Sequence, residues 1–333
     1  MNTTQTTFSR ALRTTALIAA PALLAVGGYL YAQQPQIDFS KIEEHVWPVQ
    51  GNVYMMVGAG GNSTIQVGKD GVLVVDTQFA PMADKMLAEI HKLSDKPIRY
   101  IINTHVHGDH VGGNEALSKA GGIIVGGNFA GQVAANSPAA ILAHENVLNR
   151  MSAPPAAGQP AIPFGALPTD TYFTDSKDLF FNGEAVMLIH PKSAHTDGDT
   201  MVFFRRSDVI SAGDIFTPGG FPNVDVARGG SLDGLVAALN RIIELTVPAE
   251  KQEGGTYVIP GHGHLCDEAD VVEYRDMATI LRDRFQDAIK KGMTLDQVKA
   301  AKLTRDYDPL YAANDAAIDR FVTAAYNSLS AKK

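Results

Sequence analysis

The residues able to do chemistry crowd into one short stretch of this chain. Residues 104–110 read Thr-His-Val-His-Gly-Asp-His, which places three imidazoles and a carboxylate side by side. His105 and His107 are two apart, and in extended backbone such residues project to the same side, so both rings can bind one metal ion. Gly108 then turns the chain, which lets Asp109 and His110 face a second ion close to the first. Zinc suits this set because it accepts both imidazole nitrogen and carboxylate oxygen. Three more candidate ligands recur in similar settings: His195 in Ser-Ala-His-Thr-Asp-Gly-Asp-Thr, Asp214 in Ser-Ala-Gly-Asp-Ile-Phe and His262 in Ile-Pro-Gly-His-Gly-His. Each follows a predicted strand and is flanked by glycine or another small residue, so the backbone can approach a metal closely. No Gly-x-Ser-x-Gly arrangement offers a protein nucleophile instead. The single cysteine, Cys266, excludes both an internal disulfide framework and a cysteine-rich metal knuckle.

These side chains need strand ends to hold them. Short apolar or β-branched runs at 45–49, 52–57, 64–67 and 72–75, parted by Gly or Asn turns, predict strands. Pro81 opens a helix whose apolar stripe is Met82, Met86, Leu87, Ile90 and Leu93, and Pro97 ends it. A buried-type strand at 98–102 leads straight into the His-rich stretch. A short helix at 115–120, a strand at 123–125 and a mostly helical 128–150 follow. The uncharged, proline-rich 153–168 reads as an ordered loop or a flap near a site. Strands at 179–181, 185–190, 201–204 and 209–211 then precede a helix at 232–245, a strand at 258–259 and helices at 268–291, 294–302 and 314–329. Strands followed by helices, twice over, predict a four-layer αββα sandwich with a helical C-terminal tail. Trp47, on the first strand, is expected in the core.

The 333 residues are 45% hydrophobic and 19% charged, which is globular composition. Lys plus Arg number 28 against 36 Asp plus Glu, a net charge of −8, so a surface for nucleic acid is not expected. The expected partner is a small-molecule substrate. No acidic residue precedes Asp38, and Arg10 and Arg13 lead into an apolar run, 16–32, ending at Ala32. This reads as a signal peptide over 1–32, cleaved before Gln33, with the mature protein periplasmic or secreted. No later segment is long and apolar enough to span a membrane. The expected organisation is therefore a catalytic domain over 33–265 and a helical extension over 266–333 packed on it.

With these motifs in place the chain resembles the metallo-β-lactamase superfamily. Asp76 in Val-Val-Asp-Thr, the His105/His107/Asp109/His110 cluster, His195, Asp214 and His262 match the family's five motifs in order, over roughly 45–265. The resemblance implies the αββα fold, with metals at the sandwich edge. It implies that His105, His107 and His195 hold the first ion, that Asp109, His110 and His262 hold the second, and that Asp214 bridges them. Asp76 becomes a residue that hydrogen-bonds the metal loop. Zinc β-lactamases proper carry Cys or Ser where Asp214 stands, so a bridging Asp places this chain nearer the thioesterase, lactonase and general hydrolase branches. The implied activity is hydrolysis of a cyclic amide, lactone or thioester by a hydroxide shared between two Zn²⁺ ions and oriented by Asp109 and Asp214. An iron-dependent persulfide dioxygenase uses a similar ligand set with a single iron and is the competing expectation.

Overall fold

In a computed structural model, residues 37–123, 137–155, 158, 160–251 and 254–331 are described. The chain divides into two compact units, 1–41 and 42–333. The described part of the first is a 3₁₀ turn, Phe39–Lys41, with Lys41 paired to Asp38 at 2.9 Å.

The second unit is built on two mixed sheets. The first contains β1 (His45–Gln50), β2 (Val53–Val57), β3 (Ser63–Gly68), β4 (Gly71–Val75), β5 (Ile98–Ile102), β6 (Ala140–His144) and β7 (Asp170–Tyr172), in that spatial order. Its β1–β4 part is antiparallel, and β4 to β7 run parallel. The second sheet contains β8 (Ser176–Phe181), β9 (Glu184–Ile189), β10 (Met201–Phe204), β11 (Val209–Gly213) and β12 (Tyr257–Pro260), antiparallel except for the β11–β12 pair.

Side-chain alternation sorts each strand between layers. On β10, Val202 and Phe204 point into the core between the sheets, where they meet Leu73, Val75 and Ile102 of the first sheet. Met201 and Phe203 of the same strand point the other way, under the helices. Those helices are α5 (Leu232–Leu245), α6 (Glu268–Lys290) and α9 (Asp315–Ser330), which bury Leu239, Leu281, Phe285 and Phe321 on the second sheet. The first sheet is covered by α1 (Ala83–Leu93), which buries Met86 and Ile90, by α3 (Asn114–Ala120), packed on β5 and β6, and by α4 (Glu145–Met151). The four-layer αββα expectation and its helical C-terminal region are what the structure contains.

Local differences have physical causes. The helix expected over 128–150 is in its described part a strand, β6, followed by only seven residues of α4. Ala140–His144 reads as helix by propensity, but it is buried between β5 and β7, and burial in a parallel sheet overrides propensity. Ile123 lies in no strand, and residues 124–125 of that expected strand, like 128–136 of the helix, lie outside the described residues. The short elements β7, α2 (Gly108–Val111), α7 (Leu295–Ala301) and α8 (Asp308–Tyr311) complete the chain; of these only α7 was expected. Trp47 is 51% exposed on the edge strand β1, not in the core. No described helix is long and apolar enough to cross a membrane.

Two parallel pairings set up the site. The register Val75↔Ile102 brings Asp76, after β4, beside the loop after β5. The register Gly213↔Pro260 brings Asp214 and His262 side by side at the ends of β11 and β12. Asn62 ties the two sheets together at this edge. Its backbone N–H donates to Gly261 O at 2.7 Å, and its side-chain amide donates to Pro260 O at 2.9 Å.

Candidate metal centre

All seven sequence-predicted ligands converge on this edge, in two adjoining groups. In the first, His105 Nε2 lies 3.1 Å from His107 Nδ1, and His195 Nε2 lies 3.0 Å from the same atom. One ring nitrogen within reach of two others cannot satisfy both as hydrogen bonds. Three nitrogens at tetrahedral positions around zinc, each at about 2.0–2.1 Å from it, would sit about 3.4 Å apart. The observed spacing is close to that. In the second group, His262 Nε2 lies 3.3 Å from Asp109 Oδ2, and His110 Nε2 lies 3.7 Å from it.

Asp214 stands between the groups with one oxygen toward each. Its Oδ2 is 3.7 Å from His195 Nε2 and 4.0 Å from His105 Nε2. Its Oδ1 is 3.3 Å from His110 Nε2 and 3.5 Å from His262 Nε2. His110 Nε2 and Asp214 Oδ1 are buried, adjacent and yet without a hydrogen-bond partner. An orphaned pair of this kind is costly unless a cation satisfies it. The donor set of imidazole nitrogen and carboxylate oxygen therefore fits two divalent ions of the zinc class.

The far nitrogens of four rings are held. His105 Nδ1 lies 3.0 Å from Thr104 Oγ1, and His195 Nδ1 lies 2.6 Å from Asn223 O. His107 Nε2 lies 2.8 Å from Asp225 Oδ2, and His110 Nδ1 lies 2.7 Å from Asp76 Oδ2. Such contacts fix tautomer and ring direction, which raises affinity for a metal. Asp76 also accepts from Thr104 N at 2.8 Å and Thr104 Oγ1 at 2.6 Å, so it clamps the whole loop. It does so from the left-handed region, at φ 60°. A second buried carboxylate, Asp199, accepts from Thr196 N and Thr196 Oγ1 and shapes the His195 turn. Burial pushes its pKa up to about 7. Two glycines allow the close packing. A Cβ on Gly61 would overlap the His110 ring, and one on Gly261 would overlap Asp214 Oδ1.

The electrostatics favour positive charge between the groups. Burial alone would strip the proton from His110, but Asp214 and Asp76 hold its pKa well above the usual value. Burial would likewise raise Asp214, yet His110 and the neighbouring imidazoles hold it well below the carboxylate range. Burial, then the charge of His110, pushes His105 well below its usual value, so its ring is neutral and free to donate a lone pair. Burial also lowers His195, against the opposing pull of Asp214.

Asp225 and Arg228 are residues beside the candidate ligands that sequence reasoning missed. Arg228 Nη1 is 2.6 Å from Asp225 Oδ2, the oxygen that holds His107. Asp225 belongs to no motif and sits more than a hundred residues from His107, so only the folded chain brings them together. Of the remaining histidines, His144 is buried and stacks on His190 at 3.7 Å, away from the ligand groups. The 153–168 loop, expected near the site, contributes no described residue to the cavity over the ligands. That cavity, of about 390 Å³, is bordered by His107, Asp109, Asp214, Thr217, Asn223 and His262.

A sequence model of the metallo-beta-lactamase superfamily matches residues 56–262, which takes in every one of these ligands. The chain belongs to that superfamily. Among curated superfamily relatives, a linear primary-alkylsulfatase of Pseudomonas sp. (strain ATCC 19151) is 26% identical over 257 residues, covering 69% of this chain and 47% of its own length. A type 2 metallo-beta-lactamase of Bacillus sp. (strain 170) is 22% identical over 243 residues, covering 72% of this chain and 82% of its own. Among solved structures, the inverting sec-alkylsulfatase Pisa1 from Pseudomonas sp. has the same fold, with a TM-score of 0.60 at 17% identity, over 85% of this chain and 50% of that one. The chain thus spans about half the length of the alkylsulfatases it matches.

Proposed function

We propose that this chain is an exported two-zinc hydrolase acting on a small carbonyl substrate: a cyclic amide such as a β-lactam, a lactone or a thioester. The observation that carries the reading is Asp214, whose two oxygens face two complete groups of donors. His105, His107 and His195 would hold the first ion, Asp109, His110 and His262 would hold the second, and Asp214 would offer one oxygen to each. Zinc, when bound, polarises the oxygen of the scissile group and makes water acidic near neutral pH.

The protein's own part is positioning. Thr104, Asp225, Asn223 O and Asp76 lock four imidazoles in direction before substrate arrives. Asp109, part-exposed at the cavity wall, would orient an attacking water with the carboxylate oxygen that an ion leaves free. Asp109 and Asp214 would offset part of the charge of two divalent ions, leaving the centre net positive and able to polarise a substrate oxygen. Membership in a superfamily whose named relatives include a β-lactamase and an alkylsulfatase supports hydrolysis. Export rests on the acid-free apolar start.

A second reading is hydrolysis of a sulfate ester. Residues 56–262 account for less of the chain than the 85% over which the sec-alkylsulfatase fold is shared, so that likeness continues beyond the family domain. The test is metal analysis followed by a screen of the zinc-loaded protein on β-lactams, lactones, thioesters and alkyl sulfates. Turnover confined to alkyl sulfates selects the second reading. One bound iron and oxygen-dependent turnover of a persulfide contradict both.

A further inference from the structure

Beside the ligand cavity runs a second, larger cleft of about 840 Å³. His107, Gly219, Gly220 and Asn223 border both, so the cleft opens directly onto the metal centre. One wall is the loop after β11, including Phe221 and Val226. The other is α9, which presents Ala317, Arg320, Phe321 and Ala324 at the spacing of one helical face. The two walls are fastened together. Phe221 stacks on Phe321 at 4.7 Å, and Phe221 N donates to Tyr311 O at 3.1 Å.

The charges along this cleft are unequal in their commitments. Asp225 is taken by Arg228 and His107. Asp319 is taken by Lys299, which lies 2.6 Å away on α7. Arg320 also lines the cleft, and among the described residues it has no hydrogen-bond or ion-pair partner. An uncommitted guanidinium on the wall of a mostly apolar cleft, in a chain of net charge −8, is a local site for an anion.

We infer that this cleft takes the non-reacting end of the substrate, and that this end is an apolar chain carrying an anionic group which Arg320 binds. The inference rests on the hydrolase reading for the reacting end of the substrate, but Arg320 is not among the candidate ligands, so its part can be tested without metal. Arg320 is a specificity-determining residue here: it touches the far end of the substrate, not the scissile bond. The alanines leave room for the chain, and Phe321 and Val226 supply apolar wall against it.

The probes are monomethyl suberate, which has an apolar chain and one carboxylate, and dimethyl suberate, which lacks the charge. Each is titrated by calorimetry into the zinc-loaded protein and into the same protein after chelation. The monoanion should bind roughly three- to tenfold more tightly than the diester, the range of a solvent-accessible charge-assisted contact. Arg320→Gln should abolish that preference, Arg320→Lys should retain most of it, and Ala324→Trp should weaken both ligands by filling the cleft. The preference should survive chelation. An absent preference in the wild type, no binding of the monoanion, or an undiminished preference in Arg320→Gln overturns the inference. The hydrolase reading fails separately, by lack of turnover of every ester and amide offered, and that failure leaves the anion preference at Arg320 in place.

Discussion

The two ligand groups differ in how firmly the fold holds them. In the first, His105 and His195 are 1% and 0% exposed and His107 21%, and all three rings are braced from behind by Thr104, Asp225 or Asn223 O. In the second, His110 is equally buried, but His262 is 42% exposed and Asp109 25%. Among the described residues, His262 has only Asp109 and Asp214 within ion-pair distance, and Asp109, then burial working against it, sets its raised pKa. The first group is braced ring by ring and reaches the cavity only through His107, whereas in the second both Asp109 and His262 border the cavity. With ions bound, this would make the first group the better-braced site and the second the one more open to the cavity. The expectation is that a second ion would leave first, and that supplying more metal would not repair damage to the first group.

The largest effects should come from the braced group. His105→Ala and His195→Ala should reduce turnover to background, and excess zinc should not restore it. His262→Ala should lose turnover at stoichiometric zinc but regain part of it as zinc is raised. Activity measured against zinc concentration checks both, and equal rescue of all three variants would erase the distinction between the groups. Next in size is Asp214→Asn, which keeps the shape but loses a charge and a strong donor oxygen. Affinity for the second ion should fall on the order of a hundredfold. A zinc titration with a chromophoric chelator should show the first ion still tightly bound.

Asp225→Asn should have a smaller effect, about a tenfold loss of affinity at the first ion, because it loosens His107 without removing a ligand. The same chelator titration reads it, and a loss confined to the second ion would contradict the bracing assigned to Asp225.

The distribution of what was legible follows from chemistry. The seven candidate ligands could be read because five are histidines, of which the chain has only 10, and all seven follow predicted strands, and the 104–110 cluster is distinctive by itself. The sandwich could be read because β-branched runs and amphipathic helices alternate twice. Asp225 could not, since a single carboxylate in a loop carries no sequence signal until folding sets it beside His107. Strand β6 was mistaken for helix because Ala, Leu and Ile carry no period when both faces are buried. Trp47 was placed inside because hydrophobicity alone does not reveal that β1 is the sheet edge.

The smallest predicted effect lies away from the centre, in the stacked His144–His190 pair. Burial, then the charge of His190, lowers His144 to about 4, and burial also lowers His190. Both rings are neutral in the fold, and the unfolded chain takes up their protons below its ordinary value near 6.5. Stability should therefore be lost as pH falls from 6.5 toward 4. His144 caps α4, accepting from Asn146 N, and His144→Asn keeps a capping side chain while removing the titration. Between pH 7 and pH 5, thermal melts should show the wild type losing roughly 2–5 °C more than this variant. Parallel curves would contradict the assignment.

The central claim is that seven side chains hold two ions bridged by Asp214. Diffraction from zinc-loaded crystals, with anomalous data at the zinc edge, tests it most directly. The account predicts two peaks per chain about 3.5–4 Å apart, one among His105, His107 and His195, the other among Asp109, His110 and His262, with one Asp214 oxygen on each. A single peak, or two peaks with Asp214 bound to only one, would contradict it.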